Sequence, residues 1–165
     1  AGDAWFNTGD LMRDQGYRHA QFVDRLGDTY RWKGENVSTT EVENCISSFS
    51  NILDAVVYGV EIPNTNGRAG MANIRLVGDA TFDPLAFCAH LNKHLPTFAI
   101  PVFVRLSQKM ATTGTFKYKK TDLKKAGFDL QQISDPVWVC LPGKDRYELL
   151  TSKLQQDIEQ GRFRF

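Results

Sequence analysis

Asp10 ends the run Trp5-Phe6-Asn7-Thr8-Gly9-Asp10. A carboxylate just after a tight glycine turn offers two acceptor oxygens, which suits the vicinal hydroxyls of a ribose. An ordinary turn aspartate is the plainer alternative. Residues 22–43 read FVDRLGDTYRWKGENVSTTEVE. An arginine directly after an aspartate is followed there by a glycine, a basic strand and a second glycine. Gly27 reaches backbone angles other residues avoid and could serve as a pivot, while Gly34 permits close backbone approach to a ligand. A plain hairpin before a helix explains the same residues. Residues 111–120 read ATTGTFKYKK. A lysine on a Gly/Thr loop can stabilise charge developing on a phosphate or carboxylate oxygen, or it can simply be solvated.

Other chemistry is poorly supported. His90 and His94 stand four apart on an expected helix, a spacing that can bind metal, but no third ligand is near. We expect no metal site there. The sequence has no G-x-x-x-x-G-K-[ST] loop and no G-x-G-x-x-G fingerprint. It also lacks a G-x-S-x-G elbow for a serine nucleophile.

The elements that must position these residues follow from capping and periodicity. Residues 1–26 read as short strands with a turn at Gly16, and Phe22-Val23 as a brief strand. Residues 28–33 alternate in polarity as a half-buried strand would, and Gly34-Glu35-Asn36 breaks that pattern. Ser38 and Glu41 form a capping box that starts a helix, with Val42, Cys45, Ile46 and Phe49 as its apolar stripe. Residues 55–60 and 70–77 read as strands, joined by a loop at Asn64–Gly67. Asp83-Pro84 starts a second helix, with Leu85, Cys88, Leu91 and Leu95 on its inner face and Pro96 closing it. Residues 102–104 form another strand. Thr121 caps a short basic helix that ends at Gly127. Val137-Trp138-Val139 reads as an edge strand and residues 151–160 as a last helix. The fold class is α+β, a small sheet with two main helices packed on one face.

Composition narrows the function classes. With 42% hydrophobic residues the chain suits a globular fold, and a formal net charge of +1 names no partner. The local Lys117–Lys125 cluster reads as a solvated helix face, so no nucleic acid is expected. No apolar run reaches the roughly 18 residues that span a bilayer. No signal peptide is visible, and the chain opens without Met, as a piece cut from something longer would. Three widely spaced cysteines, Cys45, Cys88 and Cys140, form neither a disulfide framework nor a zinc pattern and suit a reducing compartment.

The order of the three motifs adds to each of them. Together with VYGVEIPNTNGRAGMA, LPTFAIPVFVR and TGTFKYKK, residues 22–43 resemble the adenylate-forming, AMP-binding enzyme superfamily. The wording is most similar to its fatty-acid transport protein and very-long-chain acyl-CoA synthetase branch. The resemblance covers about residues 3–140.

It implies a fold and a division of the chain. Residues 1–26 would be a remnant of the large N-terminal AMP-binding domain, and 27–130 the small mobile C-terminal domain. The tail, 131–165, would pack on the latter. It also implies roles. Asp10 and Arg25 would bind the nucleotide ribose, and Gly27 with Asp28 would form the hinge. Gly34, flanked by Arg31 and Lys33, would enter the active site for the thioester step with CoA. Lys117 would be the catalytic lysine of adenylation, with Lys119 and Lys120 as alternatives because the motif carries two extra residues.

The implied reaction joins a fatty acid to CoA at the expense of ATP, releasing AMP and diphosphate. The phosphate loop, the Mg2+ ligands and the acyl pocket would lie upstream of residue 1, so this chain would be inactive without the N-terminal domain. The expected setting is cytoplasmic, with peripheral attachment at the cytoplasmic face of a membrane as an extension. A fatty-acid uptake module without its own catalysis is the competing implication.

Overall fold

The computed structural model describes residues 10–17, 19–25, 29–108 and 120–165, with backbone alone for 10–13 and 20–25. β1 (Asp10–Gly16) and β2 (His19–Arg25) form an antiparallel hairpin. It turns at Gly16 and Tyr17, both with positive φ, and the Gly16 N–H donates to Asp14 Oδ1 at 2.8 Å. The expected strand at Phe22-Val23 lies within β2.

β3 (Thr29–Trp32) and β4 (Glu35–Ser38) form a second hairpin. β3 alternates as its sequence predicts, with Tyr30 and Trp32 buried and Thr29 and Arg31 exposed. The expected break at Gly34-Glu35-Asn36 is narrower than the sequence implies: only Lys33 and Gly34 turn, and Glu35 and Asn36 already belong to β4.

α1 (Thr39–Ser47) begins where the capping box predicts, with the Ser38 hydroxyl accepting from the Glu41 N–H. Val42 and Ile46 are buried on it. β5 (Ile52–Val60) and β6 (Ala69–Leu76) pair antiparallel. α2 (Pro84–His94) starts at an Asp83 cap that accepts from the Leu85 and Ala86 N–H groups. β7 (Phe103–Leu106) then returns parallel to β6, as a crossover through a helix allows. α3 (Lys120–Ala126) begins one residue before the expected Thr121. β8 (Val137–Val139), β9 (Glu148–Leu149) and α4 (Ser152–Glu159) complete the chain.

The main sheet has the order β5-β6-β7-β8-β9. β8 is therefore interior, not the edge strand its sequence implied, because β9 hydrogen-bonds to its far side. The tail thus extends the sheet itself. Side chains paired directly across strands share a face, so Tyr58, Met71, Phe103 and Val139 form one row and Val57, Ala72, Val104 and Trp138 another. Phe103 stacks on Phe128, just beyond α3, at 4.4 Å. An aromatic chain Phe49–Phe87–Phe82–Trp138 links the end of α1 through α2 to β8.

One expected core residue is wrong. Leu85 is 55% exposed, and Phe87 is buried instead. The inner face of α2 runs Phe87, Cys88, Leu91. Leu85, in the first turn, points nearly opposite Phe87 at about 100° per residue.

Two buried tyrosines test this packing. The Tyr147 hydroxyl donates to the Pro101 carbonyl at 2.5 Å, whereas the Tyr58 hydroxyl has no partner among the described residues. Tyr147→Phe is expected to cost about 1–2 kcal/mol in urea unfolding, and Tyr58→Phe to be neutral or stabilising.

Candidate functional site

The β3–β4 hairpin pairs Trp32 with Glu35, leaving a two-residue turn. Its residues Lys33 and Gly34 have φ of 51° and 85°. Positive φ at both central positions matches the right-handed twist of the strands, but the left-handed region costs a non-glycine residue roughly 1 kcal/mol. Lys33 occupies it. Among the described residues nothing lies within 4 Å of the place a Gly34 Cβ would take, so the turn tip is open with respect to them. Arg31 and Lys33 are both exposed beside it, and the Lys33 ammonium lies 5.9 Å from the Trp32 ring centroid.

The hairpin is fixed to the 64–68 loop by backbone contacts. Trp32 bridges to Gly67, and the Arg68 N–H donates to the Arg31 carbonyl at 2.7 Å. Trp32 and Lys33 also line a cavity of about 200 Å³ with Cys88, Cys140 and Lys144. Burial raises the Cys88 thiol and pushes Cys140 up to about 12. Both sulfurs thus stay protonated near neutral pH and are poor nucleophiles.

Asp10 and Arg25, taken together from sequence, are placed together. They stand directly opposite each other in the β1–β2 register. Gly27, Asp28, Lys117 and Lys119 lie outside the described residues.

Lys120 is described, and its ammonium is engaged. It sits 3.1 Å from Glu43 Oε1 and 3.2 Å from Thr39 Oγ1 on α1. The same Glu43 oxygen accepts the Val57 N–H at 2.8 Å, satisfying a donor on the open edge of β5. At the other end of segment 109–119, the Ser107 hydroxyl lies 2.6 Å from Asn73 Oδ1 and 3.0 Å from Asp135 Oδ2. Asp135 is ion-paired in turn with Arg105. Residues on both sides of that segment are thus held by polar contacts. Sequence reading missed Glu43 and Asp135, whose partners are far away in the chain.

His90 does structural work. Its Nε2 lies 3.0 Å from the Cys45 carbonyl and 3.1 Å from the Ser48 hydroxyl, tying α2 to the end of α1. Among the described residues no three His, Cys, Asp or Glu side chains group to hold a metal ion.

Residues 41–117 match the AMP-binding enzyme C-terminal domain. That segment belongs to this family.

Nearly the whole chain is similar to fatty-acid proteins. It is 46% identical to the Medium/long-chain-fatty-acid--CoA ligase FadD6 of Mycobacterium tuberculosis, covering 98% of this chain and 27% of that protein. It is 44% identical to Long-chain fatty acid transport protein 6 of Mus musculus, covering 95% and 25%. The chain therefore spans about a quarter of the length of the curated relatives it matches.

The fold is shared with ATP-bound MatB from Rhodopseudomonas palustris, at TM-score 0.66 and 22% identity over 76% of this chain and 25% of that one. O-succinylbenzoate Coenzyme A Synthetase from Bacillus subtilis, in complex with AMP, gives TM-score 0.66 and 22% identity, over 75% and 25%.

Two measurements check the site's physical description. Lys120→Met is expected to lower stability by about 1 kcal/mol, since its partly buried partner is left behind. Removing the exposed half of the Arg162–Asp157 pair (60% against 20% exposed) by Arg162→Met should change it by under about 0.5 kcal/mol.

Iodoacetamide at pH 8 should alkylate Cys140 at least about tenfold more slowly in the folded chain than in urea. Its raised pKa also means a stability contribution present below the unfolded thiol's pKa. That contribution is lost as pH rises toward about 12.

Proposed function

We propose that this chain provides the C-terminal part of an ATP-dependent fatty acyl-CoA ligase. The observation that carries the reading is its 46% identity, across 98% of its length, to a protein named a medium/long-chain-fatty-acid–CoA ligase. The described geometry is compatible with it. Asp10 pairs with Arg25 in the strand register, and the two are assigned to the nucleotide ribose. The Lys33–Gly34 turn tip is open, as a loop that enters another domain's active site must be.

In this reading residues 1–26 end the AMP-binding domain, Gly27 and Asp28 form the hinge, and residues 27–130 make the mobile domain. A fatty-acid carboxylate attacks the α-phosphate of ATP, giving acyl-AMP and diphosphate. Lys117 stabilises the charge passing between carboxylate and phosphate. The engaged ammonium of Lys120 favours Lys117 over it for this role. Rotation about the hinge then withdraws Lys117 and presents the Gly34 turn, with Arg31 and Lys33 beside the CoA path. The CoA thiolate attacks the acyl carbonyl and AMP leaves. Magnesium expected with ATP finds no ligand set among the described residues, and its ligands are assigned to the N-terminal part of the ligase.

A second reading rests on the relatives named long-chain fatty acid transport proteins: the chain belongs to a membrane-associated uptake protein, at a cytoplasmic membrane face. Among the described residues no helix is long and apolar enough to cross a membrane. Trapping the acid as its CoA thioester would join the two readings.

The chain alone, given ATP, magnesium, oleate and CoA, is expected to release no AMP above background. In the full-length ligase Lys117→Ala should slow adenylation about a hundredfold, on the order of 3 kcal/mol. It should spare thioester formation from supplied acyl-AMP. Gly34→Leu should do the reverse. Equal loss of both halves in both variants would overturn these roles.

A further inference from the structure

β3 has no hydrogen-bonded partner in the main sheet, yet Tyr30 on it is 6% exposed. It is buried against bare backbone. Gly59 on β5 and Gly70 on β6 are directly paired in register, so their shared face carries no side chain at that position. A Cβ at Gly59 would lie 2.7 Å from Tyr30 Cβ and 3.1 Å from Cγ. At Gly70 it would overlap the Tyr30 hydroxyl and lie 3.1 Å from Cζ and 3.2 Å from the backbone Cα of Pro101. Ordinary carbon contacts need about 3.5–4 Å, so alanine at Gly59 would crowd Tyr30 and Arg68 Cβ, and alanine at Gly70 would crowd Tyr30 above all and the Pro101 backbone less.

A third glycine works on the same hairpin. Gly67 has φ of 87°, and a Cβ there would run into the Arg31 carbonyl. That carbonyl accepts the Arg68 N–H. Tyr30, Arg31 and Trp32 are thus each fitted to a different feature: the Gly59–Gly70 pair, the Gly67-Arg68 backbone and the Trp32–Gly67 bridge. The residues that follow immediately are Lys33 and Gly34.

We infer that Gly59, Gly67, Gly70 and Tyr30 are positioning residues for the thioester half-reaction, setting where the Lys33–Gly34 turn is presented. This rests on the proposed role of that turn. None of the four touches substrate. They act through the hairpin, whose tip lies about 10 Å along the strand from Tyr30 at 3.3 Å per residue. The Tyr30 hydroxyl contributes bulk and no bond, since it is buried without a partner among the described residues. Burial also raises its pKa well above the usual phenol value, so it stays neutral.

The missing bond makes a steric rescue possible. In the full-length ligase, each half-reaction is measured separately for Gly70→Ala, Gly67→Ala, Tyr30→Phe and the double variant Gly70→Ala/Tyr30→Phe, with Gly34→Leu as reference. Gly70→Ala and Gly67→Ala are expected to slow thioester formation from supplied acyl-AMP at least about tenfold, as small misplacements do. Adenylation should stay within about threefold. Tyr30→Phe should stay within about threefold in both halves, and the double variant, which removes the hydroxyl overlap but keeps the Cζ and Pro101 contacts, should recover part of the thioester rate lost in Gly70→Ala.

The inference is overturned if Gly67→Ala and Gly70→Ala leave the thioester rate unchanged while Gly34→Leu lowers it. It is overturned equally if both halves fall together in Gly67→Ala, whose site is exposed, or if the double variant is no faster than Gly70→Ala. A fully active Gly34→Leu would remove the proposed role of the turn, and this inference with it.

Discussion

Burial of the β5–β6 pair on both faces is the constraint from which the rest of the molecule follows. Val56 to Val60 and Ala69 to Ile74 are continuously buried. A strand buried on both faces must be covered by separate elements on each. Phe128, stacked on Phe103, belongs to one cover, and the Phe87 cluster with the end of α1 and the tail belongs to the other. The β3–β4 hairpin fills a third place, over the paired glycines. The Lys33–Gly34 turn is therefore carried by a hairpin that packs on the main sheet.

Apolar packing sets that platform, and a few polar contacts fix what leaves it. Glu43 satisfies a backbone donor on the open edge of β5 and binds Lys120 with the same oxygen. Asp135 gathers Arg105 and the Ser107 hydroxyl at the end of β7. Low local dielectric strengthens such contacts once every member is partnered. A lysine fixed in this way is a poor candidate for moving between reactions. A turn tip whose glycine has no described residue within 4 Å of its Cβ position is a good one.

The family match and the fold agree without duplicating each other. Solved structures about 22% identical share the chain path, because sheet order and two-sided burial tolerate wide exchange of apolar side chains. Relatives at 44–46% identity share about twice as large a fraction of the sequence.

The sequence by itself determined the local decisions. Ser38 and Asp83 cap their helices through bonds to residues two or three positions on, so both starts were legible, as was the alternation in β3. The motif order was legible too, and with it the family. What tertiary structure alone decided involves partners distant in the chain. Whether β8 was an edge depended on β9, nine or more residues later. The choice of Phe87 over Leu85 depended on which helix face met Phe49, Phe82 and Tyr147. The engagement of Lys120 depended on α1, some eighty residues earlier. The meaning of Gly59 and Gly70 depended on register, which sets them opposite each other and under Tyr30. Caps and alternation are settled within one turn or one strand, where sequence neighbours are spatial neighbours. Register, edge position and side-chain seats are settled by contacts between segments that only folding brings together.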